Sequence, residues 1–309
     1  MAKLVIGVDL GATKILYGIG SITGNLLYKN VIPTQAAKGS AYVIEAMTKA
    51  INSLLESYAA HNEIIGIAIA APGPLSYPEG VVLNSPNLKW DRVALKEEME
   101  KRLKRPVIVE KDTNIAALGE YYFGQNKKSK ELIYITISTG IGGGLIIDGE
   151  LYRGSRGGAG EIGHMAVAPG EARCACGRQG CLEALASGTA IADKAKALNI
   201  ISENLGAKEV GDKARQGDKA AQKVIYDAAD YLAIGITNLV NIFNPQKVVL
   251  GGGVMQGLQD LWLARISKQV FSAAFPLNAA DLRIEVTSLQ EAIGLYGCIA
   301  AAINMEQEF

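Results

Sequence analysis

Apolar positions recur along the chain in two periods, and the changes from one to the other mark out the elements. Short apolar runs at residues 4–8, 15–19, 26–32, 64–70, 107–109, 132–137, 145–147, 248–250 and 282–287 predict β-strands. Apolar residues at helical spacing fill the intervals 40–58, 95–103, 115–122, 185–198, 207–214, 218–243, 258–271 and 292–304. In the first of these Val43, Met47, Ala50, Ile51, Leu54 and Leu55 form one side; Gly211 interrupts the fifth, and Pro245 stops the sixth. Strands alternating with helices predict an α/β fold. Residues 71–90 carry Pro72, Gly73, Pro74, Asn84, Pro86 and Asn87, and are expected to be irregular.

Part of this pattern repeats. Residues 4–19 read as strand, polar turn, strand, and residues 132–147 as strand, glycine loop (138–144), strand, with Asp148 and Gly149 turning the second. A glycine-bearing turn between two strands differs from the Rossmann and Walker loops, which lead into a helix. The first turn offers Asp9, Gly11, Thr13 and Lys14, which suit either phosphate oxygens and a hydrated magnesium or an ordinary polar hairpin. Two copies predict two lobes of related topology, with a nucleotide held between them. Asp112 stands where a strand end meets a helix start, as an active-site carboxylate or as a helix N-cap. Gly251 to Gly253 either admit a flat base or ribose to the backbone or make a sharp strand-to-helix turn. Asn87 is equally a sugar contact or an Asx turn.

Composition narrows the partners. The 309 residues suffice for two lobes, and 31 basic against 31 acidic side chains leave no field favouring nucleic acid or anionic membrane, so the expected partners are small molecules. The N-terminal apolar run stops at Asp9, too short for a secretory leader, and the weakly polar stretch at 64–75 is broken by Gly66, Pro72, Gly73 and Pro74. A cytoplasmic protein with reduced thiols is expected. Of 4 cysteines, Cys174, Cys176 and Cys181 lie close to His164, one of 2 histidines, while Cys298 falls in an apolar helix and reads as core. Thiolates with an imidazole suit a four-coordinate structural zinc. The polar, loop-like flanks, with Arg173, Gly177, Arg178 and Gly180, speak against cysteines clustered as small hydrophobes. Glu161 and Glu183 bracket the ligands as acceptors suited to sugar hydroxyls.

Together these segments, 9–14, 110–114, 139–144, 158–164, the CxCGxxGCxE stretch at 174–183 and 251–253, resemble the ROK family of repressors, open reading frames and sugar kinases. The resemblance implies an actin-like, ribonuclease-H-like sugar kinase: a small α/β lobe (1–116), a large α/β lobe with the zinc motif (117–293), a cleft between them, and a C-terminal helix (294–309) returning to the small lobe. It implies that Asp112 is the general base for a hexose 6-hydroxyl. ATP phosphates would meet Gly11, Thr13, Lys14, Thr139, Gly140, Gly142 and Gly143, with Asp9 toward Mg2+ and Gly252 and Gly253 near adenosine. Sugar contacts would come from Asn87, Lys111, Asp112, Gly160, Glu161, His164 and Glu183, and zinc would be held by His164, Cys174, Cys176 and Cys181. One departure stands out: the family often has Asn where this chain has Lys111. Glucose is the first candidate substrate, with fructose, mannose, allose and N-acetylmannosamine as alternatives, ATP or polyphosphate as donor, and a homodimer as the assembly. Sugar-responsive repressors of the family carry a helix-turn-helix domain ahead of the kinase-like fold, and a first turn at Asp9 leaves no room for one.

Overall fold

The fold is described from a computed structural model covering residues 1–125 and 129–307. The chain divides into two units: Met1–Lys128, Leu151–Ala159 and Leu289–Phe309 form the first, and Ser129–Glu150 and Gly160–Ser288 the second.

The first unit begins with an antiparallel meander of β1 (Lys3–Leu10), β2 (Lys14–Ser21) and β3 (Leu26–Pro33). Helix α1 (Ser40–Tyr58) returns the chain as β4 (Glu63–Ala71), parallel to β1. Next come β5 (Leu75–Ser76), β6 (Val81–Ser85) and β7 (Trp90–Val93), a small antiparallel sheet inside the segment expected to be irregular. Helix α2 (Leu95–Leu103) buries Leu95, Met99 and Leu103, one per turn, and stops at Lys104 in the left-handed conformation. Strand β8 (Ile108–Lys111) runs parallel to β4, and α3 (Asp112–Phe123) starts at the next residue. The main sheet has the order β3-β2-β1-β4-β8.

The run at residues 4–8 is apolar throughout because both faces of β1 are covered. Leu4, Ile6 and Val8 join a core with Val43, Met47 and Ile51 of α1, whereas Val5 packs with Ile299 and Ala302. Edge strand β3 is mostly exposed.

In the second unit β9 (Leu132–Ile137) pairs antiparallel with β10 (Ile141–Ile147), and β11 (Glu150–Leu151) follows at the edge. Helices α4 (Leu182–Ala186), α5 (Gly188–Ala197), α6 (Ala207–Arg215) and α7 (Lys219–Phe243) precede β12 (Lys247–Gly251), parallel to β9. Then α8 (Gly253–Ala273) and α9 (Pro276–Ala279) lead to β13 (Arg283–Val286), parallel to β12. The order β11-β10-β9-β12-β13 repeats that of the first sheet. Helix α10 (Ile293–Gln307) belongs to the first unit, where a side chain at Gly297 would run into the Ile115 carbonyl of α3.

Several boundaries differ from those read in the sequence. Residues 142–144, expected as loop, are inside β10 and pair with Thr136, Ile135 and Tyr134, so the turn shrinks to 138–140. The helix expected at 185–198 is two helices, because Ser187 has extended backbone and caps the second by accepting the Ala190 N–H at 3.1 Å. Gly211 does not interrupt α6; it lies against Leu258, where a side chain would collide. Asp218 caps α7 rather than opening it, accepting N–H groups of Ala220 and Ala221. The lobe boundary expected after residue 116 falls inside α3, and residues 151–159 group with the first unit.

Candidate active site

Two parallel strands of the first unit, β1 and β8, bring carboxylates to their C-terminal ends. Asp9 is the next-to-last residue of β1 and pairs with Leu16 and Ala70. Asp112 is the first residue of α3, not its N-cap, a position held by Lys111; the Asp112 Oδ1 accepts the Thr113 N–H at 2.7 Å. A carboxylate there is favoured by the unpaired N–H groups and dipole of the helix start. Burial pushes the Asp9 carboxyl up to about 7, the charge of Asp112 adds to the rise, and Lys14 opposes it. The two acids therefore sense one another.

The turn between β1 and β2 closes on itself: the Gly11 N–H donates to the Lys14 carbonyl at 3.0 Å, and Thr34 Oγ1 donates to the Gly11 carbonyl at 2.7 Å. Thr13 and Lys14 are exposed, with the Lys14 ammonium 3.9 Å from Glu291. Asn87 is exposed in the turn joining β6 and β7. Lys111 is buried, and its ammonium donates to the Ala159 carbonyl at 3.2 Å. Beside it Glu110, 3% exposed, accepts from the Lys111 N–H, Asn114 Nδ2 and Arg153 Nε at 2.9, 2.9 and 2.6 Å. The Arg153 guanidinium also lies 4.2 Å over the Tyr77 ring.

In the second unit the turn at 138–140 is buttressed from several sides. Glu183, in the first turn of α4, accepts the Ile141 N–H through Oε2 at 2.9 Å, and a Cβ at Gly140 would lie 2.5 Å from that oxygen. Gly188 donates its N–H to the Ser138 carbonyl, and Thr189 Oγ1 donates to the Thr139 carbonyl at 3.0 Å. Gly143 donates its N–H to the Gly160 carbonyl at 2.9 Å. Gly160, at φ +80°, leads into Glu161 and a single helical turn, Ile162–His164. Glu161 is exposed, and Gly163 packs under Glu183.

Beside this turn is a cavity of about 430 Å³ whose lining includes Thr139, Thr189, Lys196, Lys208, Glu209 and Gly253. Gly252, at φ +90°, is the N-cap of α8, so Gly251 to Gly253 do make the sharp turn. The Gly253 side-chain position opens onto empty space. Thr189, Lys196, Lys208 and Glu209 were not singled out by sequence reasoning. The signal was the run of small residues at 187–189, which lets α5 start against the Ser138 carbonyl.

His164, Cys174, Cys176 and Cys181 converge, with one ligand atom from each all within 4.8 Å of one another. His164 Nδ1 is 3.7 Å from Cys174 Sγ, and Cys176 Sγ is 3.7 Å from Cys181 Sγ. Zinc–sulfur bonds of about 2.3 Å at tetrahedral angles place sulfurs about 3.8 Å apart, so the donors match that geometry in type and spacing. The Cys174 N–H donates to the Arg178 carbonyl at 2.8 Å, closing the knuckle, with Gly177 and Gly180 at positive φ. Hydrogen bonds from the Arg178 backbone and guanidinium lower the Cys176 thiol to about 6, whereas burial pushes Cys181 up to about 12. Nδ1 faces the cluster, leaving Nε2 as the second ring position.

The sequence profile of the ROK family matches residues 5–305, and the chain belongs to that family. A glucokinase of Halalkalibacterium halodurans is 35% identical over 306 residues, 94% of this chain and 92% of the relative. A xylose repressor of Caldicellulosiruptor bescii is 31% identical over 312 residues, 97% of this chain and 78% of the relative. The crystal structure of a ROK family glucokinase from Streptomyces griseus in complex with glucose and AMPPNP superposes with a TM-score of 0.80 at 32% identity, covering 97% of this chain and 99% of that one. The fold is thus the actin-like, ribonuclease-H-like fold of ROK sugar kinases. Among the described residues no helix is long and apolar enough to cross a membrane.

Proposed function

We propose that the protein is an ATP-dependent hexose kinase that phosphorylates the 6-hydroxyl of its sugar, with glucose as first substrate. The observation that carries this reading is Asp112 at the start of α3, electrostatically coupled to Asp9 at the end of β1. In this reading Asp112 accepts the proton of the attacking hydroxyl, and transfer otherwise rests on positioning and charge. Asp9 would be the carboxylate on the Mg2+ side, where the charge of the ion would hold it ionised against its raised pKa.

Phosphate contacts fall to Thr13, Lys14, Thr139, Gly140 and Gly142. The N–H groups of Gly11 and Gly143 are engaged within the fold, so Gly11 serves the shape of its turn and Gly143 the close approach of Gly160 and Ile162 to β10. The cavity beside Gly253 takes the adenosine, its volume being that of an ordinary small-ligand site. Asn87, Gly160, Glu161, His164 and Glu183 hold sugar hydroxyls. Glu183 serves twice, because the carboxylate offered to the sugar also buttresses the Ile141 N–H at the phosphate turn.

Zinc fits the His164, Cys174, Cys176 and Cys181 donors as a structural ion that keeps the knuckle in shape. His164 presents Nε2 to the sugar, its ring orientation set by the Nδ1 side. The reading carries with it a cytoplasmic homodimer, which light scattering of the purified protein checks.

A coupled ADP-release assay with glucose, fructose, mannose, allose and N-acetylmannosamine, in Mg2+ and ATP, tests the proposal. Turnover fastest with glucose is expected; no turnover with any hexose overturns it. The repressor relative favours a second reading, a sugar-responsive regulator. Glucose binding by calorimetry without phosphorylation, together with salt-sensitive DNA binding, would support that reading instead.

A further inference from the structure

Two consecutive residues, Glu110 and Lys111, reach two residues that close a loop. The Ala159 N–H donates to the Arg153 carbonyl at 3.1 Å, so residues 153–159 form a loop with a narrow neck. Arg153, on one side of the neck, donates to Glu110 at 2.6 Å, and the Ala159 carbonyl, on the other, accepts from the Lys111 ammonium at 3.2 Å. Glu110 and Lys111 are 3% and 5% exposed and directly precede Asp112. Asn114, in the first turn of α3, donates to the same Glu110 carboxylate at 2.9 Å. Charged hydrogen bonds in so buried a place are shielded from water, and a lysine committed there is held by geometry rather than left to sample solvent.

We propose that Lys111 is a positioning residue: by holding the Ala159 carbonyl it ties the 153–159 loop to the strand end that carries the base, and so sets where the chain enters Gly160 and Glu161. This replaces the direct sugar contact expected of Lys111. Glu110 and Arg153 hold the opposite side of the neck. The kinetic part of the proposal rests on the hexose kinase reading; the structural part does not.

The test uses Lys111→Met, which keeps the stem and removes the donor, and Lys111→Arg, which keeps the charge. In the zinc-loaded full chain, hydrogen exchange at 154–160 is expected to accelerate by about tenfold or more in Lys111→Met and to stay near wild type in Lys111→Arg, the loss expected for one charged hydrogen bond. Unchanged exchange at 154–160 in Lys111→Met overturns the proposal. In steady-state kinetics the sugar KM of Lys111→Met should rise by about tenfold, with kcat and the KM for ATP within about threefold of wild type.

A double-mutant cycle with Glu161→Gln then separates positioning from contact. A residue that acts by placing Glu161 loses most of its effect on the sugar KM once that carboxylate is gone, whereas a residue touching a sugar hydroxyl itself keeps its full effect. Full additivity of the two losses overturns the proposal. If Lys111→Met does not fold, Arg153→Gln loosens the neck from its half-exposed side, and faster exchange in the same 154–160 window is expected; no change there overturns the proposal. Absence of turnover by the wild-type protein with every hexose would fail the kinase reading alone, because the exchange experiment reads the tether without catalysis.

Discussion

The two five-stranded sheets have the same strand order, yet the turns they present differ in chemistry. Between β1 and β2 the turn carries charge: Asp9 at its start, Lys14 at its end, and exposed Thr13 between them. Between β9 and β10 the turn is neutral, Ser138, Thr139 and Gly140, and is propped from behind by Glu183 and by the Gly188 N–H. The first turn can answer the charge of a phosphate–magnesium pair by itself. The second offers shape, and draws its rigidity from α4 and the start of α5, which follow directly on the metal-type cluster. In the kinase reading one topology thus divides electrostatics from positioning between its two copies, and single substitutions separate the two contributions.

The largest effect belongs to the charged side. Asp112→Asn is expected to lower kcat by about 10³-fold while calorimetry still shows sugar binding, as removal of a general base requires. On the neutral side, Cys176→Ser should lower zinc content, measured by elemental analysis, and weaken sugar affinity by about tenfold, since outer support of a ligand site commonly has that size of effect. A zinc-free protein of undiminished sugar affinity would disconnect the knuckle from the sugar contacts.

Acidity probes the charged turn again. With Asp9 near 7, the ionised fraction falls below one half as pH drops under 7, so at sub-saturating Mg2+ the rate should fall by about tenfold from pH 7 to pH 5.5, and excess Mg2+ should restore it. The stability effect has the opposite sense. A carboxyl raised in the folded state binds its proton more tightly than in the unfolded chain, so ionising it costs stability progressively from about pH 4 up to about pH 7. Asp9→Asn should therefore melt higher than wild type at pH 8 and close to it at pH 4, as scanning calorimetry would read. The smallest effect is Gly253→Ala. Its new methyl meets nothing within 4 Å, so the melting temperature should hold while the KM for ATP rises about threefold; an unchanged KM would move the adenosine away from Gly253.

Much of this was legible because the apolar periods are clean. The bounds of α1, α2 and β9 coincide with the apolar patterns, and the repeated strand–turn–strand was visible before the matching sheet order. What misled was local composition without knowledge of pairing. Gly142 to Gly144 look like loop, yet as strand residues they let the chain at Gly160 and Ile162 approach β10, which a side chain at Gly143 would block. Strands β5 to β7 are too short to show a period. The metal ligands were legible as a cluster of donor types close in sequence, and their mutual distances bear that grouping out. The Glu110–Arg153 pair was not, because its members are 43 residues apart and each looks like an ordinary surface charge.

The helix that begins at Asp112 lies against α10, close enough that glycine is needed at Gly297, and Tyr122 near its end is hydrogen-bonded to Asn304, 182 residues later in the chain. This has a consequence in the order of synthesis. At roughly 5–20 residues per second a ribosome takes on the order of ten seconds or more to pass from one partner to the other. During that interval the helix that begins at Asp112 has no finished surface to rest on, because α10 is made last of the elements it packs against.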